Sequence, residues 1–261
     1  MKCKLFLITV FLWAQPVLAF GPLGHEVIAG LAENWLQPEA RTMLTELLPN
    51  ETLAEASTWA DRMRGHPSTF WQETASPYHY VTLPRGDYQL EKAPDKGDAV
   101  TALHEFRRVL EDAKRSRARR QLALRFSIHI VGDLHNPVHV GNGRDRGGNQ
   151  VEIRFMGKHS NLHRLWDSGL LYQRGWSKQQ WLQHLAQGIT RAQRRAWSSV
   201  DPITWVHESR DLRPLVYSHT RTISKAYVDK AVPVLDQRLR QAGVRTADYL
   251  NLLARHYSPH R

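Results

Sequence analysis

Residues 129–139 read His129-Ile-Val-Gly-Asp133-Leu-His135-Asn-Pro137-Val-His139, and residues 163–167 read His163-Arg-Leu-Trp-Asp167. Each stretch sets a His and an Asp four residues apart. On a helix that is one turn, so both side chains leave the same face with Cβ atoms about 5–6 Å apart. One divalent cation bridges an imidazole nitrogen and a carboxylate oxygen at that separation, and His with Asp is a zinc-type donor set. A single His-x3-Asp pair is as easily a surface hydrogen bond. Two pairs, with His139 re-aimed by Pro137, point to a multinuclear metal site.

The flanking pattern is helical. Leu122, Phe126, His129, Ile130 and Asp133 share one face, and a face of that composition turns inward, where a charged Asp is costly unless paired or metal-bound. His135 lies about 120° round the same helix from His129, which suits a role behind the ligands or a purely structural one. Periodicity predicts helices over 24–36, 38–48, 50–63, 98–116, 119–135, 160–172, 177–197, 213–230 and 232–256. Gly141-Asn-Gly143 and Gly147-Gly-Asn149 read as turns, and alternation over Gln150–Phe155 predicts one arm of a short β-hairpin near 141–156. Residues 84–98, with Pro84, Gly86, Pro94 and Gly97, read as a surface loop. No repeat or linker interrupts the chain, so one mainly α domain over 20–261 is expected. The basic clusters Arg107-Arg108, Lys114–Arg120 and Arg191–Arg195 read as solvated helix faces.

Residues 1–19 have the three parts of an export signal: Lys2 and Lys4, an apolar run from Leu5 to Trp13, and Ala19 as the small residue before a cleavage point. The run is too short for an ordinary membrane span. Cleavage before Phe20 predicts a periplasmic or secreted protein without stable membrane insertion. It also removes Cys3, the only cysteine, so no disulfide staples the mature chain and any zinc is held without sulfur. The formal charge falls from +11 to +9, because Lys2 and Lys4 go and no acid does. A field of that sign recruits polyanions such as nucleic acid or anionic lipid.

Three further residues, His25 after Gly24, Asp61 in Trp59-Ala-Asp61-x-x-Arg64, and His79 in His79-Tyr80, are singly more often structural than ligating. In order along the chain, however, Gly21-x-x-Gly24-His25, Trp59-Ala-Asp61-x-x-Arg64, His79-Tyr80, His129-x3-Asp133-x-His-x-Pro-x-His139, Gly147-Gly-Asn149 and Asn161-Leu-His163-x3-Asp167 form a pattern. It resembles the single-strand-specific zinc nucleases of the S-one/P-one type, in the superfamily that also holds zinc-dependent phospholipases C. Trp205-x-x-Glu208-Ser209 and Ala242-Gly-x-Arg245 through Asn251 are weaker echoes.

The resemblance implies a mainly α, single-domain phospholipase C/P-one nuclease-like fold and three zinc ions. One ion would take Asp61, His79, His129 and a shared Asp133. The second would take His25, Asp133 and the amine and carbonyl of Phe20, and the third His139, His163 and Asp167. It further implies Asp61 and Arg64 as catalytic residues, Tyr80, Arg64 and Asn149 as substrate contacts, and a monomer. The implied reaction is hydrolysis of single-stranded DNA and RNA to 5′-phosphate products, with action on 3′-nucleotides. Phe20 replaces the family's usual Trp, and Thr82 replaces an Asp that helps hold the base in fungal members. The alternatives are a phospholipase C, opposed by Asp167 where those enzymes typically carry Glu, and an exported zinc- or nucleic-acid-binding protein without catalysis.

Overall fold

Capping chemistry fixes where most helices begin. The computed structural model describes residues 20–257, so the expected export signal over 1–19 lies outside the described residues. Helix α1 (Gly21–Ala32) starts at Phe20, with Pro22 in its first turn, and α2 (Pro38–Leu47) starts on a proline. Helix α3 (Leu53–Arg62) opens on a capping box in which the Glu55 amide donates to Thr52 Oγ1 and the Thr52 amide donates to Glu55 Oε2. Asp98 caps α4 (Ala99–Glu111) and Ser116 caps α5 (Arg117–Leu134). Two short pieces follow, α6 (Leu162–Arg164) and α7 (Leu170–Tyr172). Then come α8 (Lys178–Gln187), α9 (Arg191–Trp197), α10 (Pro202–Asp211), α11 (Arg213–Val216) and the long α12 (Lys225–His256).

Helix α5 packs on α3 and α4, and α12 packs on α1, α2 and α5. Phe126 on α5 is fully buried, stacked on Trp71 at 5.4 Å and on Phe106 at 5.2 Å between ring centres. Burial of such a ring is worth about 2–3 kcal/mol, and it fixes the rotation of α5. His129, one turn on, is thereby aimed inward and is itself fully buried. Where α1 crosses α12, a Cβ on Gly243 would lie 2.6 Å from Leu31 Cβ, so only glycine permits that approach.

Two small sheets hold the loops. Strand β1 (Val81–Thr82) pairs in parallel with β2 (Val140–Gly141), Val81 opposite Val140. Strands β3 (Glu152–Phe155) and β4 (Lys158–Asn161) form the hairpin through Met156 and Gly157, both at positive φ, as a tight two-residue turn requires. The expected hairpin near 141–156 is thus displaced: Gln150–Phe155 does contain one arm, but its partner runs to Asn161. No helix among the described residues is long and apolar enough to cross a membrane.

Other boundaries also move. The 98–116 helix stops at Glu111, and 177–197 divides after Gln187. Residues 213–230 and 232–256 do not separate at the expected point, because α12 continues through Pro233. Pro233 is exposed, as is Asp229, whose carbonyl loses its amide partner to the ring, so water can satisfy it. Helix α10 was not expected, although Asp201 followed by Pro202 is a helix-start signal: the Asp201 carboxylate accepts the Ile203 and Thr204 amides.

Glu208, Ser209 and Arg245 from the weaker echoes meet in one buried polar cluster at the end of α5, while Asn251 bonds to Gln37 and Trp35. Glu208 pairs with Arg238 at 2.7 Å and with Arg245 through both carboxylate oxygens. Arg245 donates to His135 Nε2 at 3.0 Å, while His135 Nδ1 donates to the Val131 carbonyl at 2.6 Å. Burial, joined by Arg238 and Arg245, holds His135 well below the usual histidine range, so the ring is neutral. Arg238 also donates to the His135 carbonyl, and Ser209 to that of Leu134, closing carbonyls that the helix end leaves open. Burial would raise the Glu208 carboxyl, but its bonds from Arg245 and Arg238 bring it below the usual range.

Glu208→Gln leaves two buried guanidiniums without their anion. It should destabilise the chelator-treated protein by about 3 kcal/mol at pH 7, the low end for a broken buried pair because Glu208 keeps partial solvent contact. The depressed pKa contributes stability in full above the unfolded value of about 4.3, and that stability is lost as pH falls through the folded value. Melting curves should therefore show the gap between parent and variant narrowing below pH 4.5 or so; a constant gap would contradict it.

Candidate metal centre

Each donor is delivered by a separate local structure. His25 comes from the first turns of α1, Asp61 from the last turn of α3, and His129 and Asp133 from the inner face of α5. His79 and His139 end short 3-10 turns that run into β1 and β2. The parallel pairing of those strands sets the two histidines side by side, and His139 Nδ1 donates to the His79 carbonyl at 2.6 Å. His163 lies on α6, and Asp167 on a π turn over Leu165–Gly169. That turn, wider than an α turn, still brings Asp167 Oδ2 to 3.0 Å from His163 Nε2.

All eight expected side-chain donors converge. His79 Nδ1 and His129 Nε2 are 2.9 Å apart, and each is 3.1 Å from Asp133 Oδ2. Asp61 Oδ1 stands 3.8 Å from the first and 3.7 Å from the second. Tetrahedral zinc with bonds of about 2.0–2.1 Å has donor–donor edges of about 3.3 Å, which these separations bracket. The other Asp133 oxygen, Oδ1, faces His25 Nε2 at 3.3 Å. His139 Nε2, His163 Nε2 and Asp167 form a separate group, with His139 3.6 Å from Asp167 Oδ1.

Buried polar atoms ordinarily find partners. Here His25 Nε2, Asp133 Oδ1, His139 Nε2 and His163 Nε2 are buried without a hydrogen bond. In three of the histidines the opposite nitrogen is engaged: His129 Nδ1 donates to the Ser57 carbonyl at 2.7 Å, His139 Nδ1 to that of His79 at 2.6 Å and His163 Nδ1 to that of Gly147 at 2.8 Å. Such bonds fix the tautomer and leave Nε2 as a lone-pair donor, the arrangement common to metal-binding histidines. The donor set and its unpartnered atoms fit divalent cations of the zinc class.

The electrostatics of the ion-free centre reflect the crowding of these donors. Burial would push the Asp133 carboxyl up, yet His129 and His139 facing it hold it well below the usual carboxylate range. Burial and then the Arg64 cation lower His79 to about 4, so its ring is neutral at pH 7. Burial opposes protonation of His139 as well, but Asp133 and Asp167 raise it to about 9.

Two positions outside the expected set shape the centre. His25 stacks on His129 with ring centres 4.1 Å apart, and a Cβ on Gly132 would lie 2.9 Å from His25 Nδ1. Asn136 donates to Asp167 Oδ1 at 2.6 Å. Gly132 sits inside the opening motif, yet only the approach of a distant helix explains it; Asn136 was legible at most as a turn residue before proline. His135, as expected, takes no part. Phe20 is fully buried, and its carbonyl accepts the His25 amide at 3.3 Å. The expectation of a free amine there depends on cleavage after residue 19, which falls outside the described residues.

His79, His139 and His163 border a cleft of about 360 Å³. Of the expected contacts, Arg64, Tyr80 and Asn149 all reach its wall. Arg64 Nε pairs with Asp61 Oδ1 at 2.9 Å, Tyr80 is exposed, and Asn149 braces the loop by donating to the Arg146 carbonyl. Arg144 and Arg146 line the same wall and were not anticipated, since a loop has no period to mark them. No carboxylate lines the cleft among the described residues.

A profile of the family described as S1/P1 Nuclease matches residues 20–255. Endonuclease 2 of Arabidopsis thaliana is 28% identical, with 95% of each chain covered. Nuclease S1 of Aspergillus oryzae is 26% identical over 92% of this chain and 94% of its own. Nuclease P1 of Penicillium citrinum is also 26% identical, over 89% and 97% respectively. A match running from the first helix to the last, over an ordered set of converging donors, shows that the chain belongs to the S1/P1 nuclease family.

Proposed function

We propose that this protein is an exported zinc-dependent phosphodiesterase that cleaves single-stranded DNA and RNA to 5′-phosphate products and also removes phosphate from 3′-nucleotides. The observation that carries this reading is the convergence of eight His and Asp donors beside a cationic, carboxylate-free cleft. Asp61, His79, His129 and Asp133 would hold one ion. His25 and Asp133, with the Phe20 backbone once its amine is free, would hold the second, and His139, His163 and Asp167 the third. Bound zinc supplies Lewis acidity, drawing the pKa of water towards neutrality and offsetting phosphate charge.

The chain's own groups supply binding and orientation. Asp61 holds Arg64 at the cleft wall, where its guanidinium makes charge-assisted bonds to phosphate oxygens as negative charge builds on them. Tyr80 offers an exposed ring on which a base stacks, worth about 1–3 kcal/mol per base. A base already unpaired gains this without duplex opening, hence the single-strand preference. Thr82 borders the cleft beside Tyr80 and brings no carboxylate to grip a base, so base discrimination through that position is weak.

Correctly processed protein should contain three zinc ions per chain by elemental analysis. Chelation should abolish hydrolysis of single-stranded DNA and zinc should restore it. A fully metallated protein that cleaves phosphatidylcholine and spares DNA would instead favour the phospholipase reading. Gly132→Ala should push His25 off its position, lower zinc content by about one ion and cut kcat by at least tenfold, with little change in melting temperature of the ion-free protein. Full zinc content in that variant would refute the placement of His25. Extending the terminus by one residue before Phe20 should lower zinc and activity together, and unchanged stoichiometry would exclude the amine as a ligand.

A further inference from the structure

The loop from Asn142 to Asn149 carries two arginines that the chemistry above leaves unused. Asp145 stands between them but is committed to the loop itself. Its Oδ1 accepts the Gly148 amide at 2.9 Å, its Oδ2 accepts the Asn142 side-chain amide at 3.0 Å, and the Tyr217 hydroxyl also bonds to it. Arg146 adopts φ +56°, one of two non-glycine residues at positive φ among those described. That conformation is uncommon for a residue with a long side chain, and the Asn149 amide pins it by donating to the Arg146 carbonyl at 2.8 Å. Strain kept in place by its surroundings concentrates at functional sites.

The Arg144 and Arg146 side chains have no ion pair or hydrogen bond among the described residues. Both border the cleft that His79, His139, His163 and Arg64 share. Arg64 differs, being tied to Asp61. We propose that Arg144 and Arg146 form a second phosphate subsite, gripping the phosphodiester next to the one being cut and so favouring polynucleotide chains over single dinucleoside monophosphates. This rests on the nuclease reading above. A guanidinium stays charged at any working pH, and its planar fork matches two phosphate oxygens. A chain presents a second phosphate one nucleotide from the scissile one; a dinucleoside monophosphate has none to offer.

The test pairs hydrolysis with binding. In Arg144→Gln/Arg146→Gln protein, the ratio of kcat/KM for a short oligothymidylate to that for a dithymidine monophosphate should fall at least tenfold, mainly through KM. An unchanged ratio overturns the subsite, including the case of equal loss on both substrates. Binding is read on chelator-treated protein as anisotropy of a fluorescent single-stranded phosphorothioate oligonucleotide across salt concentrations. The log–log salt slope should be shallower by about 0.7, as expected for one lost phosphate contact on a single strand. Arg144→Lys/Arg146→Lys should keep most of that slope, and a lysine pair as weak as the glutamine pair would overturn the argument. If neither parent nor variant cuts either substrate, the nuclease reading fails. Lost strand affinity in the variant would even then support the subsite, and equal affinity would sink it.

Discussion

A single carboxylate, that of Asp133, is the constraint on which the rest of the centre depends. It is fully buried on the inner face of α5, and each of its oxygens faces a different imidazole group. An isolated charge at that depth would neutralise itself or unfold its surroundings. The facing histidines keep it ionised, and α1 and the turn before β1 each bring an imidazole to it. The packing of α5 on α3 and α4 thus places the donors, and the donors in turn make the buried charge tolerable.

The rest of the frame serves to keep α5 and its continuation in register. Phe126 fixes the rotation at one end, and the Glu208, Arg238, Arg245 and His135 cluster closes the other. Beyond it, Pro137 turns the chain into β2, whose pairing with β1 binds the His79 segment to the His139 segment. A two-residue sheet adds little stability, yet here it decides the spacing of two donor groups. The polar cluster shows why residues with no contact to the cleft still carry the family pattern: they hold the carbonyls at the helix end that aims the ligands.

Much of the centre is legible in the amino-acid sequence, because its signal is local. A His and an Asp four apart on an inward face need only the helical period to be read, and the motif order supplies His25, Asp61 and His79. What depends on distant parts is not legible there. Gly132 matters only because α1 lies against it, and Arg144 and Arg146 only because the loop folds back to the cleft. The hairpin is displaced because weak alternation marks a strand without naming its partner. Helix α12 runs on past Pro233 because the orphaned carbonyl faces water, which a one-dimensional pattern does not reveal. Helix α10 is the opposite case: its start signal is plain at Asp201-Pro202, but the apolar period behind it is short.

The crossing of α1 on α12 at Gly243 and Leu31 carries a temporal consequence. The first helical segment, bearing His25, rests on a surface supplied more than two hundred residues later. Closing so large a loop is entropically late in folding. A nascent chain therefore lacks part of the support for its first ligand until almost the whole polypeptide has been made, although α3 already packs on α1 earlier in the chain. The ligand-bearing first helix is thus completed only when the last helix packs on it.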